Sequence, residues 1–535
     1  MRESLTGILP LVRLALRRDR LRLVLWVGGL VLGTVATAAS LAELYATEEA
    51  QQSVAAAMNS PAGLAMTGPA AYLVDYRAGA MLAHQLLGFV LVLVGIMSVL
   101  IVVRHTRAEE ESGVAELIRS SVVGRHAHLA AAVSVGLVAN IALGLLMSLG
   151  VAALGLEDTT WAGALLYGAT HTAVGLVFVA IAAVTAQVTE HPRAASGMGM
   201  AAIGLAYVLR ALGDIGDGVL SWLSPIGWGQ ATLVFLDNRW WPLAIAVAAA
   251  AVLTAVAFEL SNARDVGAGL RRPRAGRPAA RRSLLSPLGL AFRLHRGLLA
   301  GWTAGMVLLG LSYGSVLADA DEMLSGVDLL EEAIENMAGA TVVESFASLI
   351  MMIMAVIGSI YVTMAALRSR SEEAKGRGEP LIVAGVSRTT WLMSHLAIAV
   401  VAGALLVGAA GLTFGLAGAT ATGDAGLVGA FFGASLAYAP ALWLAAGVTA
   451  VLIGFAPRWT VLAWLVPVYG FVVGYLGQIL QFSDWLLDLS PFGNVPRLPA
   501  QEMEWVPLIV LALIAAGLLA AGVVGFRRRD LLSTT

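Results

Sequence analysis

Cysteine is absent from the 535 residues, so neither a disulfide nor a thiolate metal site can form. Lysine occurs once, at Lys375, in the context EEAKGRG. A phosphate-cradling loop of the GxxxxGK[ST] type needs a lysine followed by Ser or Thr, so the chain has no such nucleotide site. The eight histidines are scattered, with no HExxH and no grouping at metal-ligand spacing. No GxSxG and no paired carboxylates fall at a membrane boundary with supporting partners, so an enzyme is not expected. No cofactor and no metal are expected on this chain. A cleavable leader is not expected either, because the first apolar run follows an Arg-rich segment and lacks a small-residue cleavage pattern. Charged residues make up only 13%, against about 25% in a soluble domain.

What is present is apolar. Hydrophobic residues make up 59% of the chain, and many runs exceed the roughly 18 residues needed to cross a bilayer as a helix. They lie near 23–42, 80–103, 127–154, 161–186, 196–213 and 241–258, then near 298–317, 345–367, 391–416, 428–455, 460–480 and 505–526. The fold class is therefore an all-α polytopic membrane protein with twelve transmembrane helices. The fifth run is the weakest, because Arg210 and Asp214 stand at its end. Arginines mark one side: Arg13 to Arg22, Arg104 to Arg125, Arg193, Arg264 to Arg296, and Arg527 to Arg529. With twelve spans these all fall together, so that side is cytoplasmic and both termini lie there. The opposite loops are acidic, with Glu43, Glu48, Glu49, Asp319, Asp321 and Glu322 among others. Short re-entrant or surface helices are expected near Gly63 and Gly339, in the outer segments 43–79 and 318–342.

The chain repeats itself. LALRRDRLRLVLW at 14–26 matches LAFRLHRGLLAGW at 290–302, which superposes Arg17 on Arg293 and Arg20 on Arg296. RAEEESGVAELIRSSVVGR at 107–125 matches RSEEAKGRGEPLIVAGVSR at 370–388 at an offset of 263. Pro192-Arg193, LSPIG at 223–227 and Arg264-Asp265 recur as Pro457-Arg458, LSPFG at 489–493 and Arg529-Asp530. Six spans per half make the two copies parallel, related by a pseudo-two-fold axis along the membrane normal. The domains are 1–265, a first six-span repeat, and 287–535, a second. Residues 266–286, rich in Gly, Pro, Ala and Arg, connect them.

Two duplicated features are candidates for function. Arg17 and Arg20, and Arg293 and Arg296, lie on amphipathic stretches ahead of a span, which predicts an interfacial elbow helix in each half. Between the second and third spans stand Glu109, Glu110, Gly113, Glu116 and Arg125, matched by Glu372, Glu373, Gly376, Glu379 and Arg388. The spacing of Glu109, Gly113 and Glu116 puts them on one helix face, and the glycine permits a close approach or a turn. Carboxylates gain nothing from an anionic leaflet, so they point to a protein partner. His171 and His395, inside apolar runs, and Asn140 and Gln187 read as hydrogen-bonding residues of the bundle rather than a proton relay. Met351, Met352, Met354 and Met364 read as packing residues.

The lead-in helix, six spans and an EExxGxxE segment after the second span resemble the permease subunits of ABC-2-type exporters. The fold such a resemblance implies is that of a type V ABC exporter. The whole-chain duplication, LSP[IF]G and the GFRRRDL ending resemble the actinobacterial branch of polyketide-antibiotic or tetronasin-type multidrug exporters. That resemblance implies that the two acidic segments couple to an ABC ATPase, two copies per permease chain, which supplies ATP and Mg2+. It implies outward movement of amphiphilic or hydrophobic cargo across the bacterial inner membrane, with no nucleic acid as partner. The second copy departs at Ala374-Lys375 and Pro380, so the two docking segments are not identical. Rival readings are a secondary drug/proton antiporter, which needs mid-span carboxylates this chain largely lacks, a lipid-modifying enzyme, and a non-transporting ATPase-binding scaffold.

Overall fold

The computed structural model describes residues 3–156, 159–265, 267–270, 278–319, 342–473 and 484–530. Among these there are helices and turns and no strand. Among the described residues eleven helices are long and apolar enough to span a membrane. The expected eleventh run, 460–480, is described only in part, as the short helices Thr460–Trp464 and Leu465–Phe471; residues 474–483 lie outside the described residues.

The chain divides into two units, Met1–Ala275 and Gly276–Thr535. In the first unit the long helices are α1 (Ile8–Leu44), α2 (Ala78–Glu111), α3 (Ala127–Ala153), α4 (Trp161–Val188), α5 (Pro192–Ile215) and α6 (Trp241–Asn262). α2 and α4 are the most buried, and α1 and α6 the least. α3 packs on α1 and α4, and α4 packs on α2 and α6. Small residues allow the close α3–α4 approach: a Cβ on Gly144 or Gly168 would meet the backbone of the other helix. Asn140 donates to Ser98 Oγ of α2 at 3.0 Å, a helix-joining bond of the kind expected of it.

The second unit holds α7 (Pro287–Ser315), α8 (Val342–Ala374), α9 (Arg388–Thr422), α10 (Gly426–Phe455) and α11 (Trp505–Arg528). The pairings recur: α9 packs on α7 and α10, and α10 packs on α8 and α11. Met351, Met352 and Met354 are buried in this core, while Met364 reaches the surface.

Local rules explain the helix starts. Thr160 accepts from Gly163 N, Ser286 from Gly289 N and Ser387 from Thr390 N, each an N-cap at 3.1 Å. In LSPIG, Ser224 caps the helix Pro225–Gln230 and donates to Ala206 O of α5 at 2.6 Å, and the proline occupies the first turn, where no N–H partner is needed.

No break separates the expected elbow stretches from the spans that follow them. Arg17 and Arg20 lie inside the unbroken 37-residue α1, and Arg293 and Arg296 inside α7; all four are exposed. At 1.5 Å per residue α1 is about 55 Å long, well beyond the roughly 30 Å of hydrocarbon. Leu and Arg favour helix, and nothing between residues 11 and 27 breaks it. The short helices expected near Gly63 are present as Glu48–Met58, Pro61–Met66 and Ala70–Asp75. The Gly339 neighbourhood lies outside the described residues.

Candidate functional site

The acidic signature follows the second long helix of each unit. Helix α2 passes through a π-helical turn at Arg104–Ala108 and ends at Glu111. Gly113 then adopts φ +75°, and Gly376 after α8 adopts φ +66°. That left-handed conformation is cheap only for glycine, and it ends the helix. A short helix follows each turn, Val114–Arg119 and Glu379–Val383. The single helix face expected for Glu109, Gly113 and Glu116 is therefore corrected. The chain turns at the glycine, so Glu116 lies on a different helix from Glu109, and Glu379 on a different helix from Glu372.

The repeated residues separate into an inward and an outward set. Glu110 points inward, its side chain 4% exposed. It pairs with Arg107 Nη1 at 2.6 Å and Arg264 Nη2 at 2.7 Å. Arg107 is fully buried and donates to the carbonyls of Ala186 and Gln187 at the end of α4, and to Ala268. Arg264 also donates to Gln187 Oε1 at 2.7 Å. One carboxylate thus ties the end of α2 to α4 and to the chain just beyond α6. In the second unit Glu373 meets Arg529 in a two-pronged pair, Nη1–Oε1 and Nη2–Oε2 both 2.7 Å. Arg370 lies 3.8 Å from Glu373 and donates to Pro457 O. Arg107, Glu110 and Arg264 correspond to Arg370, Glu373 and Arg529, so the whole ion cluster is duplicated.

Arg125 and Arg388 belong to the same fastening. Arg125 donates to Asn262 O at 2.7 Å and Arg388 to Arg529 O at 2.8 Å. Each places a cation at the C-terminal end of the last long helix of its unit, where the helix dipole favours it.

Glu109 is mostly covered and meets Arg18 Nη1 at 3.2 Å and His105 Nδ1 at 3.1 Å. Behind it Asp19, 3% exposed, holds Arg104 Nε and His105 Nε2, both at 2.9 Å. Glu372 is buried between Arg368 at 3.1 Å and Arg377 at 3.6 Å. The outward set is Glu111, Glu116, Lys375 and Glu379, all exposed.

Sequence reasoning missed Asp19, Arg104 and His105, and the role of Arg264 and Arg529. A lone acid amid five arginines at 13–22 was the available signal for Asp19. His395 does bond to a neighbouring helix, Nδ1 lying 3.0 Å from His295 Nε2 of α7. His171 bonds to Tyr167 O of its own helix instead.

A second polar cluster, also missed, lies at the other end of α2. Buried Arg210 stacks 4.4 Å over the Tyr207 ring, pairs with Asp214 at 3.4 Å and donates to Leu64 O at 3.3 Å. Tyr76 Oη lies 3.0 Å from His84 Nδ1, and Tyr72 Oη accepts from Val234 N at 3.1 Å. Burial raises the phenol pKa of both tyrosines, so they stay protonated. This network fastens the short helices between α1 and α2 to α5 and to the segment after it. No group of three or more metal-ligating side chains occurs among the described residues.

Among the described residues the chain is thus an all-helical bundle of apolar, membrane-length helices with repeated ion clusters at helix ends. The family model described as "Multidrug efflux system permease Rv1217c, C-terminal domain" matches residues 10–259 and 284–527, one segment within each unit. The chain is 40% identical over 534 residues to the "Multidrug efflux system permease protein Rv1217c" of Mycobacterium tuberculosis (strain ATCC 25618 / H37Rv), covering 99% of this chain and 96% of that one. The chain belongs to this family of multidrug efflux permeases.

Proposed function

We propose that this chain is the membrane subunit of an ABC exporter in the actinobacterial polyketide-antibiotic or tetronasin-type branch. It moves amphiphilic or hydrophobic compounds outward, driven by separately encoded ATPase subunits that hold the ATP and Mg2+. The observation that carries this reading is the duplicated assembly of glycine turn, exposed short helix and buried ion cluster. A short helix that ends in solvent, yet is rigidly fastened to three long helices, suits a lever that another protein pushes. A partner that changes shape moves the bundle only if the contact point cannot swing freely. Two such levers per chain fit two ATPase copies. The relative's name, the permease protein of an efflux system, supports the drug cargo. The arginine distribution supports cytoplasmic termini in the inner membrane.

The outward set makes the contact: Glu116 and Glu379, with Glu111 and Lys375 beside them. The inward set, Glu110, Arg125, Glu373 and Arg388, holds the lever, with Glu109 and Glu372 beneath it. The test is co-purification of the full chain with a candidate ABC ATPase co-expressed with it. Charge reversal by Glu116→Arg together with Glu379→Arg should abolish the complex and substrate-stimulated ATP hydrolysis, with folding preserved. An intact complex in the double variant would count decisively against the proposal.

A further inference from the structure

Each unit has a hollow between its lead helix and the short helix of its acidic loop, and the two hollows differ in a way the sequence repeat explains. In the first unit Leu14, Ala15, Arg18, Glu109 and Ile118 line about 30 Å³. In the second, Leu290, Ala291, Leu294, Leu381 and Trp391 line about 300 Å³. Leu14, Ala15 and Arg18 align with Leu290, Ala291 and Leu294; Glu109 and Ile118 align with Glu372 and Leu381. In the first unit the half-exposed Arg18 side chain reaches Glu109 at 3.2 Å across the hollow it lines. In the second, Leu294 cannot make that bridge, and Glu372 turns to Arg368 and Arg377 instead.

The smaller hollow has about the volume of one water, roughly 30 Å³. The larger reaches the low end of ligand-sized pockets, roughly 300–1,000 Å³. Its walls are mostly aliphatic, with Glu372, Arg377 and His395 also reaching it. Its surroundings are basic. Arg281, Arg282, Arg293 and Arg377 are exposed on the segments that form it, with Glu379 the exposed acid on the loop side and Glu372 already paired. An aliphatic slot with a cationic rim, at the end of the apolar stretch of α7, matches an acyl chain below an anionic headgroup.

We propose that the second unit binds one acyl chain of an anionic phospholipid in this hollow, with the headgroup on Arg377 and its neighbouring arginines, and that the first unit has no equivalent site. The proposal is independent of any ATPase partner. Native mass spectrometry of the full chain, titrated with phosphatidylglycerol or phosphatidylcholine, tests it. Leu294→Arg installs the first unit's own bridge to the acidic loop and should weaken the tightest phosphatidylglycerol site roughly tenfold or more, as loss of several buried methylenes implies. Arg18→Leu should create one further site. A phosphatidylglycerol chain brominated along its length should quench Trp391 in the otherwise unaltered protein, read as the difference from Trp391→Phe. Equal phosphatidylglycerol retention by the wild type and Leu294→Arg would overturn the proposal. So would equal affinity for the two lipids, or an unquenched Trp391.

Discussion

Replacing Glu110 with glutamine isolates what the buried ion cluster contributes. The variant keeps the shape and one acceptor oxygen but removes the counter-charge for two guanidiniums, of Arg107 and Arg264, that are 0% and 7% exposed. Had the contacts been ordinary interhelical hydrogen bonds, the loss would average about 0.6 kcal/mol. Leaving a buried charge unpaired costs about 3–5 kcal/mol instead. Arg107 and Arg264 retain carbonyl acceptors at Ala186, Gln187 and Ala268, which spread the charge without cancelling it. That places the expected loss near the lower bound, about 3 kcal/mol. Glu116→Gln, on an exposed residue of the same loop, should stay within about 0.5 kcal/mol of the wild type. Denaturant unfolding in mixed micelles, read as a midpoint shift at constant slope, separates the two. Adding Arg264→Met to Glu110→Gln should recover part of the loss, giving a non-additive term of about 0.5–3 kcal/mol. If Glu110→Gln matches Glu116→Gln, or if the double variant is strictly additive, the cluster is not what fastens the loop. Glu373→Gln should cost less, because its partners Arg529 and Arg370 are 14% and 21% exposed and better hydrated.

Gly113→Ala and Gly376→Ala should each cost about 1–2 kcal/mol, because nothing lies within 4 Å of an added Cβ and the penalty is purely that of a left-handed backbone. Asparagine at either position should restore part of that loss in the same unfolding assay. Arg210→Met leaves Asp214 with Ser221 as its remaining hydrogen-bond partner and removes the Arg210 donor from the Leu64 carbonyl, while Met66 O keeps the Tyr207 hydroxyl. Limited proteolysis should then open the chain between residues 60 and 77, while the Glu110 cluster at the other end of α2 stays resistant.

The bundle was legible because hydropathy is summed over some twenty residues, and a sum tolerates local noise. The repeated loop was legible for another reason: the spacing of Arg107, Glu110 and Gly113 survives in Arg370, Glu373 and Gly376. What spacing alone could not say was which carboxylates point inward. Glu109 and Glu110 are neighbours in sequence, yet Glu110 faces Arg264, 154 positions away, and Glu109 faces Arg18, 91 positions away. A partner at that separation is set by helix packing and leaves no local trace. The left-handed glycine hid the rest, since counting i, i+4, i+7 presumes a helix that in fact stops at Gly113. The same presumption hid the continuity of α1: the arginines at 13–22 looked like a separate interfacial element, although no residue there ends a helix.

The inward and outward carboxylates explain one another. The six-residue helix Val114–Arg119, which exposes Glu116 and Leu117, has too few hydrogen bonds to hold its own direction. Left alone it would absorb a push by fraying. The Glu110 cluster fixes the α2 side of the glycine turn, and Arg125 fixes the far side to the end of α6. With both flanks held, a push on Glu116 of the kind the proposed coupling requires would reach α2, α4 and α6 together instead of bending the loop. The second unit repeats each fastening with different exposed neighbours, Ala374 and Lys375 in place of Glu111 and Ser112. Selection for a passive solvated loop would not need the buried arginines, and selection for stability alone would not need an exposed acid at the same place in both copies. A loop that is both held and touched, as the proposed coupling requires, would use both.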